Sequence, residues 1–192
     1  MNPAWRATAL LADPNSEWPK IGHESGDAAF LLSRYAAVLA VIPAIFDFIG
    51  ATVIGAVSPG MGTVRAPLFD GVFGAVFGYV ATIAAVLILG LVIDLLAPAF
   101  EGEKDFDSAL KLAVYSFTPV WLAGVFLILP GLRFLTLTGL YGAYLLAVGL
   151  PRLMKSPPHR TPLYAFTVVV CASALLYAAA AVQRAVFGIA GL

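Results

Sequence analysis

Residues 71–93 read GVFGAVFGYVATIAAVLILGLVI, and none of them is charged. A helix needs roughly 20 mostly apolar residues to cross the hydrocarbon of a bilayer, so this run is long enough to span by itself. The pattern recurs. Residues 112–132, 134–151 and 161–183 carry no charge, and 35–64 contains Asp47 alone. The apolar runs are continuous rather than alternating, which excludes a membrane-spanning barrel. The sequence therefore predicts an all-α, polytopic membrane helix bundle with five transmembrane helices, at about 33–57, 71–96, 112–130, 133–150 and 162–187. The third and fourth are separated at LPGLRF, where Pro130-Gly131 makes a tight turn and Arg133 marks the water boundary. Residues 1–32 form an N-terminal tail ahead of a membrane domain over 33–190.

Composition agrees. Of the 192 residues, 61% are apolar and 11% charged, with a mean hydropathy of +0.94. A soluble domain carries about 25% charged residues, so lipid has to serve as much of this chain's solvent. Eleven basic residues balance eleven acidic ones, which gives no footing for nucleic acid. The single cysteine, Cys171, lies in an apolar run, so there is no internal disulfide and no zinc spacing. No cofactor or metal motif is present. The N-terminal MNPAWRATALLADPNSEW has too short an apolar patch for a secretory signal, so the tail is expected to be retained.

Orientation follows from Lys and Arg. With the N-terminus inside, the inner segments hold Arg6, Lys20, Arg34, Lys104, Lys111, Arg152, Lys155 and Arg160; the outer ones hold Arg65, Arg133 and Arg184. That bias places the N-terminus in the cytoplasm and the C-terminus outside.

Asp47 is the sharpest single residue. A lone Asp at the centre of a spanning helix costs about 2.5–3.5 kcal/mol on insertion scales. Ala36, Ala40, Pro43, Asp47 and Gly50 share one helical face, so the carboxyl is expected to point into the bundle, beside carbonyls that Pro43 leaves unpaired. Counting from the outer ends of the spans puts Thr82, Tyr144 and Tyr177 at a similar depth, and at least one of them is expected to hydrogen-bond Asp47. Two readings follow, a hydrogen-bonded bundle contact or a proton or cation site. Asp94 lies near the inner end of the second span, where Lys111 and Arg152 share its side and are candidates to pair with it. Gly74 and Gly78 form a GxxxG spacing suited to close helix packing, and Ala174, Ala178, Ala181 and Ala185 make a similar stripe. Phe106, Leu110, Ala113, Val114 and Phe117 lie on one face, which predicts an amphipathic lead-in at the interface or a helix for a cytosolic partner.

The stretch 115–124, YSFTPVWLAG, is unusual for a span. Pro119 disfavours helix at Thr118, so a kink or break is expected at 117–119, with Ser116 and Thr118 able to bond the carbonyls it frees. Tyr115 and Trp121 are amphipathic aromatics of the kind that line a membrane boundary.

These residues also carry a likeness. NSEWPKIGHES, the Pro43-containing span, LVIDLLAPAFEG, ALKLAVYSFTPVWLAGVFLILPGL and GLYGAYLLAVGLPRLMKSP, followed by Tyr164, resemble the bacterial branch of the Yip family, the Ypt/Rab-interacting-protein type of five-span membrane domain. The resemblance implies the fold and the topology, no active site, and in eukaryotic members a tie to Rab GTPases, vesicle traffic and membrane shape.

His23 and His159 lie in polar segments without a nucleophile, and no HExxH, GxSxG or P-loop occurs. The reading is a non-enzymatic inner-membrane protein that organises the bilayer or a membrane-bound assembly. Its partners are lipid and either other membrane proteins or a second copy. The alternative is a small-solute or ion transporter or channel working around Asp47 and helix breaks at Pro43 and Pro119. A water-accessible cavity that reaches Asp47 would favour transport; a dry bundle would favour scaffolding. No internal repeat is visible, which weighs against an inverted-repeat transporter.

Overall fold

A computed structural model describes residues 2–24, 28–58 and 62–187. The chain opens with two short helices, α1 (Pro3–Ala12) and α2 (Pro14–His23). Each begins with proline, whose missing N–H costs nothing in a first turn. Each is capped by a side chain: Asn2 accepts from the Ala4 N–H at 3.0 Å, and Asp13 from the Ser16 N–H at 3.3 Å.

Among the described residues, five helical segments are long and apolar enough to cross a membrane: Ala29–Ile54, Leu68–Phe100, Phe106–Ile128, Gly131–Leu153 and Thr161–Val186. The first contains α3 (Ala28–Leu31), a π-helical turn (Leu32–Ala36), α4 (Ala37–Phe48) and a second π-helical turn (Ile49–Ile54). A small antiparallel hairpin follows, β1 (Ala56–Ser58) with β2 (Gly62–Val64), and leads into α5 (Leu68–Leu96). The third span consists of α6 (Phe106–Ser116), α7 (Thr118–Ala123) and a 3-10 stretch (Gly124–Ile128). The fourth is mostly a longer 3-10 stretch (Pro130–Leu140) and then α8 (Tyr141–Leu153); the fifth is α9 (Thr161–Phe187).

The expected break at Pro43 does not occur. Pro43 lies inside α4, which runs on to Phe48, and the departures from α geometry fall on either side of it as π turns. Pro43 instead packs on Gly124, where an added Cβ would stand 2.6 Å from the Pro43 Cβ. Gly50 repeats the device further along the span, since its Cβ would lie 2.3 Å from the Leu127 carbonyl oxygen. Spans one and three therefore meet backbone to backbone, as small residues allow. At Pro119 the helix does change: α6 stops at Ser116, Phe117 adopts a turn, and α7 restarts with proline in its first turn.

The core lies towards the end that carries α1 and α2. Trp18, Tyr35, Tyr115, Trp121 and Tyr164 are its largest side chains, all fully buried or nearly so. Tyr115 meets Trp18 edge-on at 6.3 Å and Tyr35 at 4.8 Å. Tyr115 and Trp121 are thus bundle residues, not members of a boundary belt, because both are buried among neighbouring helices. Leu110, Ala113, Val114 and Phe117 are also buried. Most of the amphipathic face of α6 packs inside the bundle, on α5, where Gly90 admits the Leu110 backbone, while Phe106 at its start stays exposed.

The N-terminal residues fold onto this end of the bundle. Trp18 fills a slot above Gly149, where a Cβ would come within 2.8 Å of its ring, and Leu10 and Ile21 are fully buried. Arg6 ties the two helices together: it donates to Glu17 at 2.7 Å and to Glu24, and Lys20 also bonds Glu17. Arg6 and Glu17 are both buried, so this pairing is what makes their charges tolerable there. Two loops close the same end. Lys155 bonds Glu103 at 2.6 Å and Arg160 bonds Glu101 at 2.9 Å.

Candidate functional site

The half of the bundle nearer the β-hairpin is open. A cavity of about 610 Å³ runs between α4, α5, span three, span four and α9, a size typical of sites for small molecules, roughly 300–1,000 Å³. Its walls are mainly aliphatic. Leu137 and Leu140 from span four and Leu176 from α9 line it and are exposed, so it opens as a lateral cleft between spans four and five.

Asp47 lines this cleft. Its partner is Arg133, whose Nη2 donates to Oδ1 at 3.2 Å. The expected bonds to Thr82, Tyr144 or Tyr177 are not formed. Thr82 accepts from the Trp121 indole N–H at 3.2 Å. Tyr144 is exposed and tilts against Tyr141, and Tyr177 is exposed beneath the Arg184 guanidinium. Arg133, read as a boundary marker, is thus the counter-ion of the intramembrane acid, and both side chains keep about a third of their surface exposed.

The charge cluster expected at the other end does not assemble either. Asp94 approaches Lys104 at 3.9 Å, Lys111 reaches back to the Glu24 carbonyl, and Arg152 is exposed. The Asp94 Oδ1 is buried without a hydrogen-bond partner among the described residues. Gly74 and Gly78 both line the cleft: Gln183 of α9 donates to the Gly74 carbonyl at 3.3 Å, and its side chain lies 3.9 Å from where a Gly78 Cβ would stand, so Gly78 makes no tight helix contact. The close approaches of α5 are at Gly71, against Thr52, and at Gly90. On α9, Ala174, Ala178 and Ala185 are exposed and Ala181 is half-buried, so most of that stripe faces outward.

Tyr35 Oη and Thr118 Oγ1 lie 2.8 Å apart in full burial, and the Tyr164 hydroxyl donates to the Ile93 carbonyl. Thr118, expected to bond a carbonyl freed by Pro119, pairs with a side chain instead, and the two tyrosine contacts carry no signal in the sequence. The Ser116 hydroxyl lines the cleft, is buried, and has no partner among the described residues. Among the described residues, no group of three or more His, Cys, Asp or Glu side chains could hold a metal ion. His159 stands 3.7 Å from Glu101 at an exposed loop, and His23 is exposed.

The arrangement defines a polytopic helical membrane protein with five candidate spans and a lateral cleft beside an ion pair. Residues 8–179 match the Yip1 domain, and the chain belongs to that family. The matched region starts inside α1, so α2 is part of the family's domain. The chain is also 29% identical over 151 residues to the inner membrane protein YohC of Escherichia coli K12, covering 76% of this chain and 77% of that protein. The same figures hold for YohC of Escherichia coli O6:H1. No solved structure matches.

Proposed function

We propose that this chain is a non-enzymatic protein of the inner (plasma) membrane that organises the bilayer around it, or an assembly held in that bilayer. The observation that carries the reading is the uneven packing of the bundle. One end is closed by α1, α2 and a continuous aromatic core, whereas the other opens sideways between spans four and five. A closed end suits a scaffold, and a lateral opening puts the protein in direct exchange with lipid. The inner-membrane name of the relative supports the location. The Lys and Arg bias supports a cytoplasmic N-terminus and an external C-terminus. Reconstitution into vesicles tests it. Vesicles with the protein should differ from protein-free ones in lipid packing or in size distribution, and identical vesicles would remove the bilayer-organising role.

Transport around Asp47 is the second reading, favoured by the cleft that reaches this residue and by the interrupted third span. The mainly aliphatic walls and the Arg133 counter-ion weigh against an ion path. Proteoliposome flux for wild type and Asp47→Asn decides it: background flux in both removes transport.

A further inference from the structure

The cleft between spans four and five has a definable occupant. We infer that it binds one anionic phospholipid of the surrounding bilayer, with an acyl chain along its wall and the phosphate at Arg133 and Arg184. This rests on the reading of the chain as a bilayer-facing protein, and it adds a specific site to it.

The medium at the mouth comes first. The exposed lining side chains belong to two helices in the middle of apolar spans, so the cleft opens on hydrocarbon rather than on water. An empty cleft forfeits dispersion contacts along its whole wall. Water is a poor filler, because a buried water needs two to four polar partners. Most polar groups near the wall already have one: Thr82 bonds Trp121, Gln183 bonds the Gly74 carbonyl, and Thr136 bonds the Arg133 carbonyl at 2.7 Å. A flexible hydrocarbon chain matches walls such as Leu137, Leu140 and Leu176.

Charge then selects the headgroup. Around the hairpin end, the described charged side chains of the spans and their connection are Arg65, Arg133 and Arg184 against Asp47 and Asp70. Arg65 turns towards the Ile54 carbonyl, at 3.5 Å. Arg133 gives Asp47 one N–H of the five a guanidinium carries, and about a third of its side chain is exposed. Arg184 is exposed and follows the cleft-lining Gln183 directly in α9. Arg133 bonds the cleft-lining Asp47, and Arg184, over the Tyr177 ring, lies one residue beyond the lining; both have donors to spare, and their planar forks match phosphate oxygens. Together they leave a positive excess that a zwitterionic headgroup answers less well.

The test uses the full chain in nanodiscs of phosphatidylethanolamine with a minor share of phosphatidylglycerol, followed by native mass spectrometry. One phosphatidylglycerol per chain should survive release from the disc. Ser173→Phe and Ala180→Phe, at exposed positions on the α9 wall, should each lower that retention several-fold while the thermal unfolding midpoint stays in place. Two such variants guard against one failing to fold. Arg133→Gln with Arg184→Gln should keep a bound lipid but lose the preference for phosphatidylglycerol. Unchanged retention in the folded Phe variants overturns the site. So does equal retention of both lipids by wild type, or a dimer mass without lipid, which would mean that a second copy fills the cleft. Retention is read on isolated protein, so its failure removes the site and leaves the organising role standing. Failed vesicle reconstitution would do the reverse.

Discussion

Pro43 and Gly124 stand in direct backbone contact: a Cβ on Gly124 would lie 2.6 Å from the Pro43 Cβ and 2.7 Å from its Cα. Neither side can yield by a rotamer change, since one partner is a ring and the other is main chain. Gly124→Ala should therefore lower the thermal midpoint in detergent, by an overpacking cost of about 1–3 kcal/mol. Gly131→Ala is the control, because nothing lies within 4 Å of the Cβ it would add. Equal midpoints for the two variants would show that spans one and three are not locked here.

The bond between Tyr35 and Thr118 crosses from span one to span three at 2.8 Å, with both residues buried. Tyr35→Phe strands the Thr118 hydroxyl and should cost about 1–3 kcal/mol. In the double variant Tyr35→Phe, Thr118→Val, both polar ends are gone, so part of that loss should return. A double-mutant cycle on unfolding free energies reads the coupling, and strict additivity would rule the bond out as a source of stability.

The five-helix architecture was legible in the sequence because hydrocarbon tolerates few chain conformations and forces long uncharged runs. The polar pairings were not, for two physical reasons. Depth was counted along ideal α-helices, but residues 130–140 form a 3-10 stretch, which rises about 2.0 Å per residue instead of 1.5 Å. That stretch shifts Tyr144 in depth relative to Asp47 and rotates it outward. Arg133, 86 residues from Asp47 in sequence, was assigned to the boundary when its long side chain reaches inward. The N-terminal helices were missed because their signal is diffuse. Arg6 and Glu17 are 11 residues apart on different helices, and Trp18 and Ile21 are scattered among Pro, Asn, Ser and Lys.

Glu17 couples the N-terminal helices to pH. Its hydrogen bond from Lys20, aided by the charges of Lys20 and Arg6, holds its carboxyl below the usual value of 4.5, against the opposing effect of burial. A depressed carboxylate contributes stability that is fully present above the unfolded value. That stability is lost as pH falls through the lower, folded value. Acidification from neutral pH through the carboxylate range should therefore release α1 and α2 before the spans unfold. Exposure of the buried Trp18, read by fluorescence in variants that lack Trp5 and Trp121, reports it. Glu17→Gln should leave α1 and α2 looser at neutral pH and flatten this acid transition. A transition of unchanged size in Glu17→Gln would assign it to another group.

Asp47 and Arg133 are the pair on which the transport reading turns, and their partial exposure sets the size of the expected effect. Hydrogen bonds to charged groups contribute about 1.5–3 kcal/mol, and pairs open to water contribute less. This pair is only about a third exposed and lies within apolar spans, so a value in the upper part of that combined range is expected. Arg133→Gln removes the counter-ion and leaves a carboxylate in the cleft wall, whereas Asp47→Asn leaves a cation that can extend towards the membrane surface. Arg133→Gln should therefore be the more destabilising of the two in thermal unfolding. The double variant Asp47→Asn, Arg133→Gln should recover most of the loss, since an amide pair can form the same hydrogen bond without charge. If Asp47→Asn alone proves as damaging as Arg133→Gln, the guanidinium is fixed by the bundle and not by its exposure, and the pair is then structural in both halves.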